Sequence, residues 1–167
     1  MISKQLLMCV LITLTICFFS KIVKALPHTP PKNHHHKADV DTNQLQDSTL
    51  LDSIKSLRIS FPLIALAQAK FESANYHSRL YRINHNLFGM RFNKYKETTA
   101  IGENLYYAKY TSWYQSLKDY QLWQQRTLKK VQTQSEYLRY IGKHYSQDSL
   151  YLHKLNKIIA KLEVKYS

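Results

Sequence analysis

From Ser48 onward apolar residues recur at intervals of three and four over most of the chain, and that period predicts helices. Leu50, Leu51, Ile54 and Leu57 mark the first. SFPLIALAQAKFES follows, apolar on nearly every side, as a helix enclosed by the core is. Ser60 reads as its N-cap, Pro62 as a first-turn residue, and its end falls near Ser73–Asn75. A short turn of helix is expected over Arg79–Ile83. Then the pattern changes. Residues 91–110, RFNKYKETTAIGENLYYAKY, carry β-branched and aromatic residues around Gly102-Glu103-Asn104, which predicts a small hairpin with Glu103 at its tip. Helical spacing returns with Trp113, Leu117, Tyr120 and Trp123, and again with Tyr137, Leu138, Tyr140 and Ile141, closing at Gly142. A last helix is expected to start at Asp148, a natural N-cap, and to bury Tyr151, Leu155, Ile158/Ile159 and Leu162. The sum is an α+β fold, mainly α, with one small β-lobe.

What precedes this domain is of another kind. MISK supplies positive charge, LLMCVLITLTICFF is an apolar run shorter than the ~20 residues of a spanning helix, and Val23-Lys24-Ala25 offers a cleavage site. Residues 1–25 read as a signal peptide, with an uncleaved membrane tether as the alternative, so the chain is expected to be exported to the periplasm, the cell wall or the medium. Residues 26–47 are polar, rich in proline and histidine, and read as a flexible linker; residues 48–167 form the domain. Both cysteines, Cys9 and Cys17, fall in the apolar run, so the rest of the chain has no disulfide to stabilise it. The His34-His35-His36 triplet in the linker makes a poor defined metal site, and no metal or other cofactor is expected.

Charge narrows the partners without choosing one. The chain has 24 Lys+Arg against 11 Asp+Glu, a balance that favours polyanions, including the anionic polymers of a cell wall. Nucleic acid is set aside, because the N-terminal segment argues for export and the cations are spread rather than clustered. Thirteen tyrosines and two tryptophans can fill a core or stack on sugar rings.

Against this background one acid stands out. Glu72 ends the most apolar helix, on a face shared with Ala65 and Gln68. A carboxyl there loses hydration, which raises its pKa and lets it hold a proton near neutrality, as a general acid must. From these residues alone a structural ion pair with Arg58, Lys70, Arg79 or Arg82 is the simpler account.

The company of Glu72 tips that balance. Ala67-Gln68-Ala69-x-x-Glu72-Ser73 is followed by Asn86-Leu87-Phe88-Gly89-Met90, by Tyr110-Thr-Ser-Trp113-x-x-Ser116-x-x-Asp119-Tyr120, and by Tyr145-Ser-x-Asp148-x-x-Tyr151 with Lys154 and Ile158-Ile159. Four such segments in this order, over about residues 50–165, resemble the glucosaminidase domain of glycoside hydrolase family 73, the family of bacterial autolysins and the flagellar peptidoglycan hydrolase. The resemblance implies a lysozyme-like fold with a cleft between an α-lobe and a β-lobe. It also implies hydrolysis of the β-1,4 bond after N-acetylglucosamine in peptidoglycan glycan strands, without a cofactor, by what is expected to be a monomer. Lytic transglycosylases and muramidases share the fold and the Glu-Ser helix end, but carry a Gly-Leu-Met-Gln-type stretch where this chain has Asn-Leu-Phe-Gly-Met. A non-catalytic wall-binding domain is the third reading.

Carried over residue by residue, the resemblance makes Glu72 the catalytic acid and Tyr151 the tyrosine that points at the reacting sugar. For a second carboxylate the β-lobe offers Glu103 or Glu97, with Glu103 preferred, and the substrate's own acetamido group is a substitute for either. Gly89 is expected at the floor of the cleft, Phe88 beside it either in contact with substrate or packed with Leu87 in the core, and Tyr76, just past Glu72, as a stacking platform. Asp119 is assigned to structure. One departure concerns the turn after Glu72-Ser73, where this chain has Ala74-Asn75 and the family more often has glycine.

Overall fold

The computed structural model describes residues 45–145 and 148–167. These belong to a compact unit, Thr42–Ser167. The expected signal peptide, the histidine triplet and all but the last residues of the linker lie outside the described residues. Among those described, no helix is long and apolar enough to cross a membrane.

The described residues form six helices and one hairpin: α1 Asp47–Ser56, α2 Pro62–Glu72, α3 Arg79–Asn84, β1 Gly102–Asn104, β2 Tyr107–Lys109, α4 Trp113–Thr127, α5 Gln134–His144 and α6 Tyr151–Tyr166. The apolar periods decide how they pack. α2 is the central helix. Six successive residues, Ile64 to Ala69, are buried in it, and it lies against α1 and α6. α6 contributes Tyr151, Leu155, Ile159 and Leu162 from one stripe, and α1 contributes Leu50, Leu51 and Ile54. The β-lobe is a two-stranded antiparallel sheet with Gly102 opposite Lys109, Glu103 opposite Ala108 and Asn104 opposite Tyr107.

Several expected boundaries move, each for a local reason. Ser60 does not cap α2; the N-cap is Phe61, in a left-handed conformation, and Ser60 instead exchanges backbone hydrogen bonds with the Gln124 side chain. Asp148 lies before α6 rather than at its cap: its Oδ1 accepts from the Leu150 N–H at 2.8 Å and its Oδ2 pairs with Lys154 at 2.7 Å. α5 continues through Gly142 to His144. That glycine serves close packing instead, because a Cβ there would collide with the Leu152 side chain of α6. The hairpin turns at Leu105-Tyr106, both with positive φ (54° and 65°), so Glu103 sits on β1 and not at the tip. Positive φ at both turn residues matches the right-handed twist of the strands.

Two caps behave as their sequences suggest. Ser112 Oγ accepts from the Gln115 N–H at the start of α4. Thr133 and Glu136 close a full capping box on α5, which satisfies two helix-end donors at once.

Candidate active site

Glu72 is the last residue of α2, and the chain must turn sharply to free it from the core. Ser73 makes the turn. Its Oγ donates to the Ala69 carbonyl at 2.6 Å and accepts from the Tyr76 N–H at 2.9 Å. Ala74, Asn75 and Tyr76 then all take left-handed conformations, with φ of 50°, 52° and 69°. Only asparagine among these visits that region readily, and each of the others costs about 1–2 kcal/mol. The departure from glycine seen in the sequence thus leaves a strained turn, held by Asn75 N–H to the Lys70 carbonyl at 2.7 Å and by Ser78 N–H to the Ser73 carbonyl at 2.8 Å.

The Asn86–Met90 loop supplies what faces Glu72. Asn86 closes it like a staple: its Oδ1 accepts from the Met90 N–H at 3.0 Å, and its Nδ2 donates to the Met90 and Ala108 carbonyls, both at 2.9 Å. Leu87 N–H donates to Ser116 Oγ at 3.0 Å, which ties the loop to α4. The loop can then present Gly89 with φ of 63°, and a Cβ at that position would come within 3.4 Å of Glu72 Oε2. The positive φ is what calls for glycine here, and a Cβ would reach no closer than van der Waals contact with the carboxyl.

Gly89 also lines a groove of about 650 Å³ between the β-lobe loop and the helices α4 and α5. Its walls include Phe92, Glu97, Trp123, Tyr140, His144 and Tyr145. Trp123 and Tyr140 lie with ring centres 6.4 Å apart and are only half-buried, a surface suited to sugar rings. Asp119, at the back, accepts from Thr98 at 2.9 Å and from the Tyr110 hydroxyl at 2.7 Å through its Oδ2, and so joins the β-lobe to α4. Among the described residues, no three His, Cys, Asp or Glu side chains converge as a metal site.

The electrostatics of Glu72 follow from its place. Burial pushes its carboxyl up to about 7, against a smaller opposing effect of a hydrogen bond from Tyr151. Tyr151 itself is buried, packed edge-on against Phe71 at 5.3 Å, and receives a hydrogen bond from Gln68 at 3.3 Å. Burial and the neighbouring Glu72 push its phenol up, so it is neutral at any working pH. The Tyr145 hydroxyl donates to the Phe88 carbonyl at 2.5 Å, and its pKa too is raised by burial with Glu72 nearby.

The expected site residues divide accordingly. Glu72, Gly89 and Tyr151 come together. Phe88 is 1% exposed and stacked on Tyr120 with ring centres 3.9 Å apart, so it supports the floor from below and its ring meets no solvent. Tyr76 is 6% exposed, and its hydroxyl donates to Asp47 at the start of α1, so its ring is occupied by packing and is no open platform. Glu103 is exposed on β1, whereas Glu97 is exposed on the groove wall. Trp123, Tyr140 and Tyr145 escaped the sequence reading, because an aromatic at helical spacing looks the same whether it faces core or groove.

The catalytic domain of the autolysin Auto from Listeria monocytogenes is 20% identical, with 86% of this chain and 92% of that one covered at a TM-score of 0.47. No curated protein matches the sequence. The family model described as mannosyl-glycoprotein endo-beta-N-acetylglucosaminidase matches residues 52–164, which include the helix end, the staple loop, the groove and α6. The chain belongs to this glucosaminidase family of glycoside hydrolases.

Proposed function

We propose that the protein is an endo-β-N-acetylglucosaminidase that hydrolyses the β-1,4 bond after N-acetylglucosamine in peptidoglycan, with Glu72 as the general acid. One observation carries the reading: a carboxyl pushed up to about 7 by burial and set beside Gly89, which lines a groove with half-buried aromatic walls. At neutral pH a good fraction of Glu72 is protonated, and it delivers that proton to the glycosidic oxygen as the bond breaks and positive charge grows on the sugar ring. Tyr151 steadies the carboxylate left behind by donating to it.

A second carboxylate has two candidates in the β-lobe. Glu97 stands on the groove wall, which supports it over Glu103 on the outer strand, although the sequence favoured Glu103. In that place Glu97 activates water or stabilises the sugar cation. A wall substrate also requires export, which fits residues 1–25 as a signal and 26–47 as a linker to the domain.

The test is to digest purified sacculi with the protein and to identify the new reducing ends by mass spectrometry. N-acetylglucosamine ends are expected. Muramic-acid or anhydro ends would make it a muramidase or a lytic transglycosylase, and no new ends would leave a binding domain.

A further inference from the structure

Beneath Glu72 runs a chain of buried polar side chains that proton delivery does not in itself require. Its direction can be worked out from its far end. The Ser60 N–H donates to Gln124 Oε1 at 2.9 Å, and Gln124 Nε2 donates back to the Ser60 carbonyl at 3.2 Å. A backbone N–H can only donate, so this pair fixes which end of the Gln124 amide carries nitrogen. That nitrogen also donates to the Tyr137 hydroxyl at 3.0 Å.

The Tyr120 and Tyr137 hydroxyls touch each other, and both reach Gln68 Oε1, at 2.6 and 3.0 Å. Two hydroxyl protons thus serve three contacts. If one proton bridges the two hydroxyls, the other goes to Gln68; if neither does, both go. With the oxygen end of the Gln68 amide toward the tyrosines both phenol protons find an acceptor, whereas the nitrogen end would leave one of them with none among these contacts. Nε2 is left facing Tyr151, to whose hydroxyl it donates at 3.3 Å. Gln68 is fully buried, so no water competes for these bonds. Tyr151 then accepts from Gln68, which leaves its own single proton for the neighbouring Glu72 carboxyl.

We propose that Gln68 is a positioning residue for the acid. Acting through Tyr151, it makes the tyrosine a donor to Glu72, so one carboxyl oxygen is always an acceptor and the reactive proton is carried on the other. The inference rests on the reading of Glu72 as the acid, and it adds that an amide four residues earlier on the same helix sets where the proton sits. The two phenols facing Glu72, Tyr145 and Tyr151, stay neutral and cannot take that proton. The titratable and charged groups of the groove, Arg91, Lys96, Glu97, Asp119, Arg126 and His144, are the same in a Gln68 variant and do not alter a difference between the two.

The experiment uses the full chain with carboxyl-labelled glutamate, the Glu72 signal being identified by its loss in Glu72→Gln. Gln68→Met keeps the length of the side chain but cannot donate to Tyr151. Losing support for a donor to the carboxylate raises its pKa, so the Glu72 titration should move up by about half a pH unit or more. A general acid works while protonated, so the basic limb of kcat/KM on soluble wall fragments should move up with it. Tyr151→Phe should produce the same upward shift, and adding Gln68→Met to it should give no further one. Gln124→Met, two links away, should give a smaller shift of the same sign. A folded Gln68→Met whose Glu72 titrates as in the wild type would overturn the proposal, as would shifts that add to those of Tyr151→Phe. Should Gln68→Met not fold, an unmoved titration in Gln124→Met overturns it equally. If the titration moves and the activity limb does not, the hydrogen-bond chain stands and the assignment of Glu72 as the acid falls.

Discussion

Glu72, beside Gly89 of the groove, and Glu97, on the groove wall, stand in opposite kinds of structure. Glu72 ends a helix enclosed by the core and rests on a hydrogen-bonded chain of buried side chains. Glu97 stands exposed on an irregular segment, held at its backbone carbonyl by Arg126 at 2.8 Å. The same side chain thus has two environments, and only one of them is built to keep a proton. Burial raises the cost of the charged form, which a proton donor needs and a charge-stabilising partner does not. The difference teaches that the helical half supplies the acid and its orientation. The β-lobe supplies charge that stays open to solvent.

The comparison breaks most visibly at the two carboxylates. Glu72→Gln should lower kcat on sacculi by about 10³-fold, within the range of a lost general acid. Glu97→Gln should lower it by roughly tenfold to a hundredfold, and Glu103→Gln by less than about threefold, read from the same release of reducing ends. An equal loss in Glu97→Gln and Glu103→Gln would remove the preference for the groove wall.

Gly89 joins the two halves, and it comes next in expected effect. Gly89→Ala forces a side chain into φ of 63° and puts a methyl group against Glu72 Oε2. Thermal or denaturant unfolding should show a loss of about 1–2 kcal/mol, together with a fall in kcat of roughly tenfold.

How far the sequence carries depends on what kind of order an element has. Helices with a sustained period, such as α2 and α6, could be read from their apolar residues, because burial of one face or of the whole helix decides them. Glu72, Gly89 and Tyr151 could be named because the resemblance placed them in motifs. The hairpin register was misplaced, since Leu105-Tyr106 takes a turn conformation that its residue types do not advertise. Tyr76 and Phe88, expected at the substrate, pack instead, and Trp123 and Tyr140, read only as aromatics at helical spacing, line the groove. An aromatic carries no mark of which way it faces. The chain from Ser60 to Glu72 lay deeper still, because its members are far apart in sequence and only the fold brings Gln68, Gln124, Tyr137 and Tyr151 together.

A subtler contrast concerns stability. The Glu72 carboxyl has a folded-state pKa near 7, above the 4.5 it has when free. Its contribution is therefore fully present below about pH 4.5 and lost as pH rises toward 7, so the buried charge weakens the fold at alkaline pH. Glu72→Gln should be more stable than the wild type by about 3 kcal/mol at pH 8, with the gap closing near pH 4, as measured by urea unfolding at both values. No pH dependence in that gap would mean that Glu72 is charged without cost.

The smallest effect lies in the turn behind the acid. Ala74→Gly relieves a left-handed alanine, against some added freedom in the unfolded chain, and should stabilise by about 0.5–1 kcal/mol without changing kcat. A destabilised Ala74→Gly would show that the turn is not strained.

The central claim is that Glu72 donates a proton to the leaving group, and leaving-group chemistry tests it most directly. The wild type and Glu72→Gln should be compared on a wall glycan fragment and on an aryl β-glycoside of N-acetylglucosamine whose phenol is acidic enough to depart unprotonated. The account predicts a loss of about 10³-fold on the glycan and less than about tenfold on the aryl glycoside. An equal loss on both substrates would contradict it.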